Sequence, residues 1–403
     1  MAPEAVEKVE TEFRRSYAEQ PLIIRSPGRV NLIGEHTDYN LGYVLPAAID
    51  RAIYFAITPR DDQQCKIQAL DKDDEYQFHL GHLEYAQTGW PNYLMGVVDQ
   101  LVKRDYKLRG FNCVFSGDIP IGAGLSSSAA LETGLAFALN RMFGLDIDAL
   151  ALVKFAQKAE NDFVGVRCGI MDQYANIFGK RNTVIRLDCR SLESSYYPFD
   201  FHDVSIVLFD SGVPHSLASS EYNRRRQECA DGVRAIKSRY PHVTNLRDVD
   251  REMIQEFRDK MKPVIYQRCN YVIEENERVL RATSALEQRD LQTFGSLLKL
   301  THGGLRDEYQ VSCDELDFLV DSMKTREGVY GSRMMGAGFG GCTINLIESE
   351  EIERISREVG VQYKRRFGVE LKTFVTEISS GTDVVRADER NVPQKRDRFP
   401  VTR

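Results

Sequence analysis

The stretch that most restricts this chain is GFNCVFSGDIPIGAGLSSSAALE, residues 110–132. Its first half alternates like a β-strand. A glycine-rich turn follows, and residues 126–143 then read as a helix with serines at its start and Gly144 at its C-terminal end. A strand, a glycine turn and a helix N-terminus in direct succession leave unpaired N–H groups and the positive end of the helix facing one concavity, which suits a phosphate group. Ser126, Ser127 and Ser128 add hydroxyls for phosphate oxygens or a divalent cation. One serine serves as a helix cap, but three in a row after Gly122-Ala123-Gly124-Leu125 exceed what a cap requires. The run is not a Walker A loop, because no lysine follows the glycines, and it is not the Gly-x-Ser-x-Gly turn of serine hydrolases.

The rest of the sequence sets bounds. At roughly 100–200 residues per domain, 403 residues suggest two domains. With 42% hydrophobic and 28% charged residues the chain is neither disordered, collagen-like nor a coiled coil. The net charge of −7 argues against nucleic acid as a partner, so an anionic substrate would have to be held by local groups rather than by the overall field. No two of the eight cysteines form a CxxC pair, which argues against zinc, and scattered thiols fit a reducing, cytoplasmic setting. The opening MAPEAVEKVETEFRR is acidic and lacks the apolar segment of a signal peptide. No apolar run approaches the length of a membrane span.

Along the chain, PLIIRSPGRVNLIGEH starts as a strand and is expected to break at Pro27-Gly28, and YVLPAAIDRAIYFAITPR reads as two short strands around Asp50. Helical spacing covers 90–104, 149–159, a short segment from about Gly169, and long stretches near 217–239, 265–288 and 290–301. VSIVLFDSG is strand-like from Val204, and RMMGAGFGGCTINLI reads as strand, glycine turn, strand. Strands and helices without regular βαβ alternation predict an α+β fold. The pattern is interrupted at SLESSYYPFDFHD, which divides the chain into domains at 1–200 and 201–385, with a polar tail at 386–403.

Two further polar or glycine-rich motifs carry chemistry. SPGRVNLIGEHTDYN packs Arg29, Glu35, His36 and Asp38 between hydrophobic strands, a density suited to hydrogen-bonding a small polyol, although a charged surface hairpin would look similar. GAGFGG, residues 336–341, matches the dinucleotide fingerprint but is followed by strand-like CTINLI instead of a helix, so a dinucleotide site is rejected. It reads as a hairpin turn or as a loop whose backbone approaches a ligand. Glu160 ends one helix and Asp172, in CGIMDQ, opens the next. An acid there also answers the helix dipole, while its apolar neighbours Ile170 and Met171 suggest partial burial and function.

Together these motifs resemble the GHMP kinase superfamily, in which the glycine-serine run at 119–132 is the phosphate loop and GAGFGG a late glycine motif. GRVNLIGEHTDYN, SLASSEYNRRRQEC, CGIMDQ and VYGSRMMGAGFGGC are similar to the galactokinases in particular, and the resemblance runs from about residue 20 to about 378. Ala337 stands where the family often has Gly, and Gly303 or Gly304 where it often has Ser. The resemblance implies a bilobal fold, an N-terminal lobe like ribosomal protein S5 domain 2 and a C-terminal α+β lobe. It also implies a monomer that phosphorylates galactose with ATP and Mg²⁺. A kinase for N-acetylgalactosamine or galacturonate, or a sensor without catalysis, are the alternatives, though the intact GLSSSAALE speaks against a sensor. Matched position by position, it makes Asp172 the catalytic carboxylate, with Arg29 beside it and the phosphates, holding it ionised. Glu35, His36, Asp38, Gly169, Asp172 and Tyr222 become sugar contacts. Gly122, Ala123, Gly124, Leu125, Ser126, Ser127 and Ser128 wrap the phosphates, Trp90 lies near the base, and Ser128, or Ser127 in its place, holds Mg²⁺ with Glu160.

Overall fold

The computed structural model describes residues 4–120, 122–213 and 218–387, without the side chains of 218–220. Ile121, the Ser216-Leu217 start of one motif, and the tail from residue 388 lie outside the described residues. The first half contains α1 (Glu4–Tyr17), β1 (Leu22–Asn31), β2 (Tyr43–Val44), β3 (Pro46–Pro59), β4 (Gln64–Ala69), β5 (Asp74–His79), α2 (Trp90–Val102), β6 (Phe111–Gly117), α3 (Ser127–Phe143), α4 (Ala149–Lys158), α5 (Met171–Phe178), β7 (Thr183–Asp188) and β8 (Ser194–Pro198). The second half contains β9 (Val204–Asp210), α6 (Ala218–Lys237), α7 (Arg251–Gln255), α8 (Pro263–Glu287), α9 (Leu291–Gly303), α10 (Asp314–Met323), β10 (Val329–Met334), β11 (Cys342–Glu348), α11 (Ile352–Phe367), β12 (Lys372–Thr376) and β13 (Asp383–Arg386). This is the expected α+β architecture.

Three sheets result, in the orders β13-β1-β3-β6-β4-β5, β10-β11-β9-β12 and β2-β7-β8. The last described strand, β13, does not stay with the second half: it crosses back and pairs antiparallel with β1. The largest apolar cluster likewise joins both halves, from Leu22 and Phe55 through Leu135 to Val279, Ile344 and Leu346.

Two expectations about the first sheet are corrected. β1 does not end at Pro27-Gly28 but continues to Asn31, with a register shift between Pro27 and Arg29 against β3. The partner that makes this possible is the phosphate loop. The carbonyl of Leu125 accepts from the Arg29 N–H at 3.2 Å, and a Cβ on Gly28 would stand 2.8 Å from that same oxygen. A bulge of this kind re-aims the following side chain, here Arg29. β3 is likewise one unbroken strand, not two. Asp50 sits in its middle, and its carboxylate accepts from the Thr376 hydroxyl at 2.6 Å and the Glu377 N–H at 3.0 Å, so the polar residue is satisfied without ending the strand.

α3 is buried on nearly every face, which suits its SSAALETGLAFALN sequence, and Gly144 closes it in the left-handed conformation at φ 62°. α1 was not anticipated. Val6, Val9 and Phe13 recur on one face and bury against Ile23, Tyr54 and Val114. Among the described residues, no helix is long and apolar enough to cross a membrane.

Candidate active site

A cavity of about 380 Å³ opens where the phosphate loop, the 34–38 loop, the start of α5 and the late glycine loop meet. Its lining brings together Arg29, Glu35, His36, Asp38, Gly122, Gly124, Leu125, Ser126, Ser127, Ser128, Glu160, Gly169, Asp172 and Tyr222. These come from five separate stretches of sequence. Of the residues expected at the site, two are not in the lining. Ala123 is buried in the apolar core. Trp90 donates its indole N–H to Asp74 at 2.7 Å and packs edge-on against Phe115.

Asp172, in the first turn of α5, is gripped by Arg29. Nε donates to Oδ1 at 2.7 Å and Nη2 to Oδ2 at 2.9 Å, a two-pronged pair, while Nη1 donates to the Gly124 carbonyl at 2.5 Å. Burial opposes the guanidinium's charge. The neighbouring Asp172, with Glu35 and Asp38 behind it, overcomes that and holds Arg29 above its ordinary pKa. Ser126 adopts the left-handed conformation at φ 58°, makes no cap bond to α3, and donates its hydroxyl to Asp172 Oδ2. Its hydroxyl is therefore engaged with Asp172.

On the opposite wall the 34–38 loop and the start of β2 are tied to α8 of the second half. The Glu275 carboxylate of α8 accepts from the Gly34 N–H at 2.8 Å, Asn276 accepts from the Tyr43 N–H at 2.8 Å, and the Tyr271 hydroxyl donates to the Glu35 carbonyl at 3.1 Å. His36 pairs through Nδ1 with the Tyr39 hydroxyl at 2.8 Å, and its ring lies 5.6 Å from that of Tyr222. Burial and the nearby Arg225 charge lower its pKa to about 3, so His36 is a neutral imidazole. Asp38 is pushed the other way, to about 7, by burial and by the charge of Asp172. Gly169 is there for space: a Cβ would meet Asp38 Oδ2 at 1.8 Å.

Below the phosphate loop, Glu160 lies in a π-helical turn (Ala159–Val164) after α4. Its carboxyl is raised to about 7 by burial and by Asp172, while it accepts from Ser128, Cys168 and Gln173, the last at 2.9 Å. Glu132 of α3, wholly buried, contacts the same Gln173 at 3.2 Å and is pushed well above its ordinary value by burial and by Glu160. Glu132 and Gln173 were missed in the sequence, though a lone acid in so apolar a helix was a signal. Arg333 was missed too: a wholly buried arginine needs a partner, and its partner is Glu35 at 3.0 Å.

Ser128 and Glu160 offer two oxygen donors, one of them anionic, at the mouth of the phosphate loop. Among the described residues there is no cluster of three or more His, Cys, Asp or Glu that could hold a metal. That donor set fits a Mg²⁺ ion held chiefly by substrate phosphates and water and lightly by the protein.

Comparison with known proteins bears on this geometry. Residues 11–59 match the galactokinase galactose-binding signature, 92–180 the GHMP kinases N terminal domain, and 282–365 the GHMP kinases C terminal. The galactokinase of Roseiflexus sp. (strain RS-1) is 41% identical over 379 residues, 94% of this chain and 97% of that protein. That of Thermotoga maritima is 41% identical over 362 residues, 90% of this chain and 99% of the other. The crystal structure of Lactococcus lactis galactokinase complexed with galactose superimposes with a TM-score of 0.90 at 34% identity, covering 94% of this chain and 99% of that one. The Methanococcus jannaschii mevalonate kinase shares the fold at a TM-score of 0.61 and 16% identity, covering 90% and 99%.

Proposed function

The chain belongs to the galactokinases of the GHMP kinase superfamily, and from that premise and the cleft geometry we propose that it transfers the γ-phosphoryl group of ATP to the C1 hydroxyl of α-D-galactose, giving ADP and galactose 1-phosphate. The observation that carries this reading is Asp172. One carboxylate, locked by a two-pronged arginine at 2.7 and 2.9 Å, sits between a phosphate-binding helix terminus and a polar loop suited to a polyol.

Phosphoryl transfer demands alignment and charge stabilisation more than covalent help. The N–H groups from Gly122 to Ser128 and the N-terminus of α3 hold the phosphates. Glu35, His36, Asp38 and Tyr222 hold the sugar, with His36 acting as a neutral hydrogen-bonding group. Asp172 accepts the proton of the C1 hydroxyl as its oxygen attacks phosphorus, and Arg29 keeps that carboxylate in place and faces the transferring charge. Ser128 and Glu160 would hold Mg²⁺, which when bound neutralises phosphate charge.

A coupled ADP-release assay with galactose, glucose, N-acetylgalactosamine and galacturonate tests the assignment. Glucose moves one hydroxyl and strands the buried groups that bonded it, a mismatch worth about 10⁴-fold in kcat/KM at a site built to bond that hydroxyl. Glucose turnover within about tenfold of galactose, or a higher rate with either derivative, would overturn it.

A further inference from the structure

We propose that Arg333, which lines no part of the cavity, is a positioning residue for sugar recognition: it fixes the Glu35 side chain so that one carboxylate oxygen is consumed by protein and the other is left for a sugar hydroxyl. The inference rests on the reading of the site as a galactose site and adds a residue to it.

Arg333 lies on β10 and is wholly buried. Its Nε donates to the Leu32 carbonyl at 2.8 Å, Nη2 to the Asn31 carbonyl and Nη1 to the Met334 carbonyl. Nη1 and Nη2 both also reach Glu35 Oε1 at 3.0 Å. Those contacts use all five donors of a guanidinium. Three of the acceptors are backbone carbonyls, two of them at the end of β1 and its exit, so the fork is anchored to the strand that leads into the 34–38 loop.

Glu35 is equally constrained, but asymmetrically. Its Oε1 takes both Arg333 contacts and a third from the Gly336 N–H at 2.8 Å. Every hydrogen bond its carboxylate accepts from a described side chain or N–H falls on that one oxygen. A carboxylate has two oxygens and about four acceptor positions, so Oε2 keeps its full capacity, and Glu35 borders the cavity. Tyr271 and Glu275 already fix the backbone around Glu35. What they leave undetermined is the side-chain rotation, and Arg333 supplies that. The guanidinium also offsets the charge of a carboxylate that is otherwise out of water. A lysine could supply the charge, but not the planar fork that meets three backbone carbonyls and one carboxylate oxygen together.

A purely structural staple between the two halves would leave the same bonds on the page, so the test must separate the two roles. Arg333→Lys, Glu35→Gln and the double variant are purified, and KM for galactose and for ATP are measured separately, along with the rise in melting temperature on adding galactose alone. Positioning through Glu35 predicts that Arg333→Lys raises the galactose KM about tenfold or more, the scale of one hydrogen bond to a charged group. It also predicts a smaller galactose-induced rise in melting temperature and an ATP KM within about twofold of the unaltered protein. The double variant should be no worse toward galactose than Glu35→Gln alone, because Arg333 acts only through that side chain. If Arg333→Lys does not fold, Glu35→Gln/Arg333→Met, which buries no charge at either position, is compared with Glu35→Gln, and their galactose KM values should agree within about threefold. Galactose and ATP constants rising together, or additive losses in the double variant, would overturn the positioning role. Absence of galactose turnover in the unaltered protein would instead refute the assignment of function.

Discussion

Replacing Asp172 by Asn keeps the size of the side chain and removes its charge and its capacity to take a proton. In the structure the carboxylate accepts three donors, two from Arg29 and one from Ser126. An amide offers one oxygen and turns an NH₂ toward a donor, so at least one charge-assisted bond is lost. Arg29 is nearly inaccessible, and removing one member of a buried pair typically costs about 3–5 kcal/mol. Two features reduce that. The Asp172 side chain is 28% exposed, and Asp38 and Glu160, both pushed up by its charge after burial itself, are relieved when it goes. A net loss of about 1–3 kcal/mol follows.

The effect on chemistry is larger and separable. Loss of a general base lowers kcat by about 10²- to 10⁴-fold, whereas an acid serving only the dipole of α5 contributes about 0.3–1 kcal/mol of stability and nothing to turnover. Steady-state kinetics, calorimetric galactose titration and chemical denaturation of Asp172→Asn decide between them. We expect kcat down at least about 100-fold and galactose affinity within about tenfold. Near-normal turnover with a stability loss below about 1 kcal/mol would refute the catalytic assignment.

Ser128→Ala should raise the Mg²⁺ concentration needed for half-maximal rate and lower kcat. A helix cap would instead cost about 1 kcal/mol and leave the Mg²⁺ curve unmoved, so an unchanged titration with a lower melting point would rule out a ligand role. Asp38 provides a pH test. Its carboxyl is raised from 3.8 to about 7 by burial and by Asp172, so folding holds a proton that the unfolded chain has released. Stability from this group therefore falls as pH rises from about 4 to 7, by up to about 4 kcal/mol, and is flat beyond either end. Asp38→Asn should be the more stable protein at pH 8, with the advantage gone near pH 4. A difference that does not change with pH would contradict the burial argument.

What the sequence revealed and what it withheld divide along one line: whether a residue's environment is local. The strand–turn–helix around Ser126 and the polar density of 34–38 could be read because their signals are contiguous. The continuation of β1 through Pro27-Gly28 could not, because the Leu125 carbonyl that receives the bulge is remote in the chain. Asp50 looked like a break for the same reason, its partners being Thr376 and Glu377. β13 could be placed in the first sheet only by knowing that the chain returns to β1. α1 is different. Val6, Val9 and Phe13 were in view at helical spacing, and the acidic residues between them drew the reading away. Trp90, which the resemblance places near the base, has its indole N–H on Asp74 and its ring edge-on to Phe115, neither of which is contiguous with it in the sequence.

The charge of the cleft explains why its parts must be gathered from so far apart. Among the described residues that line it are Glu35, Asp38, Glu160 and Asp172, and Arg29 is the one Lys or Arg among them. Arg333 neutralises Glu35 from behind and Arg29 neutralises Asp172, which leaves Asp38 and Glu160 to be raised by burial and by Asp172. A nucleoside triphosphate entering such a site alone would add negative charge to an acidic wall, and a chain of net charge −7 supplies no compensating field. On the proposed function the counter-charge would come from fixed N–H dipoles at the start of α3 and from a cation that enters with the phosphates. Under the proposed function, sugar hydroxyls would donate to Asp38, whose carboxyl burial and Asp172 push up to about 7, and the cation's charge would act likewise on Glu160. On that reading each substrate would favour ionisation of the acid that receives it, while Asp172, held by Arg29, keeps its geometry.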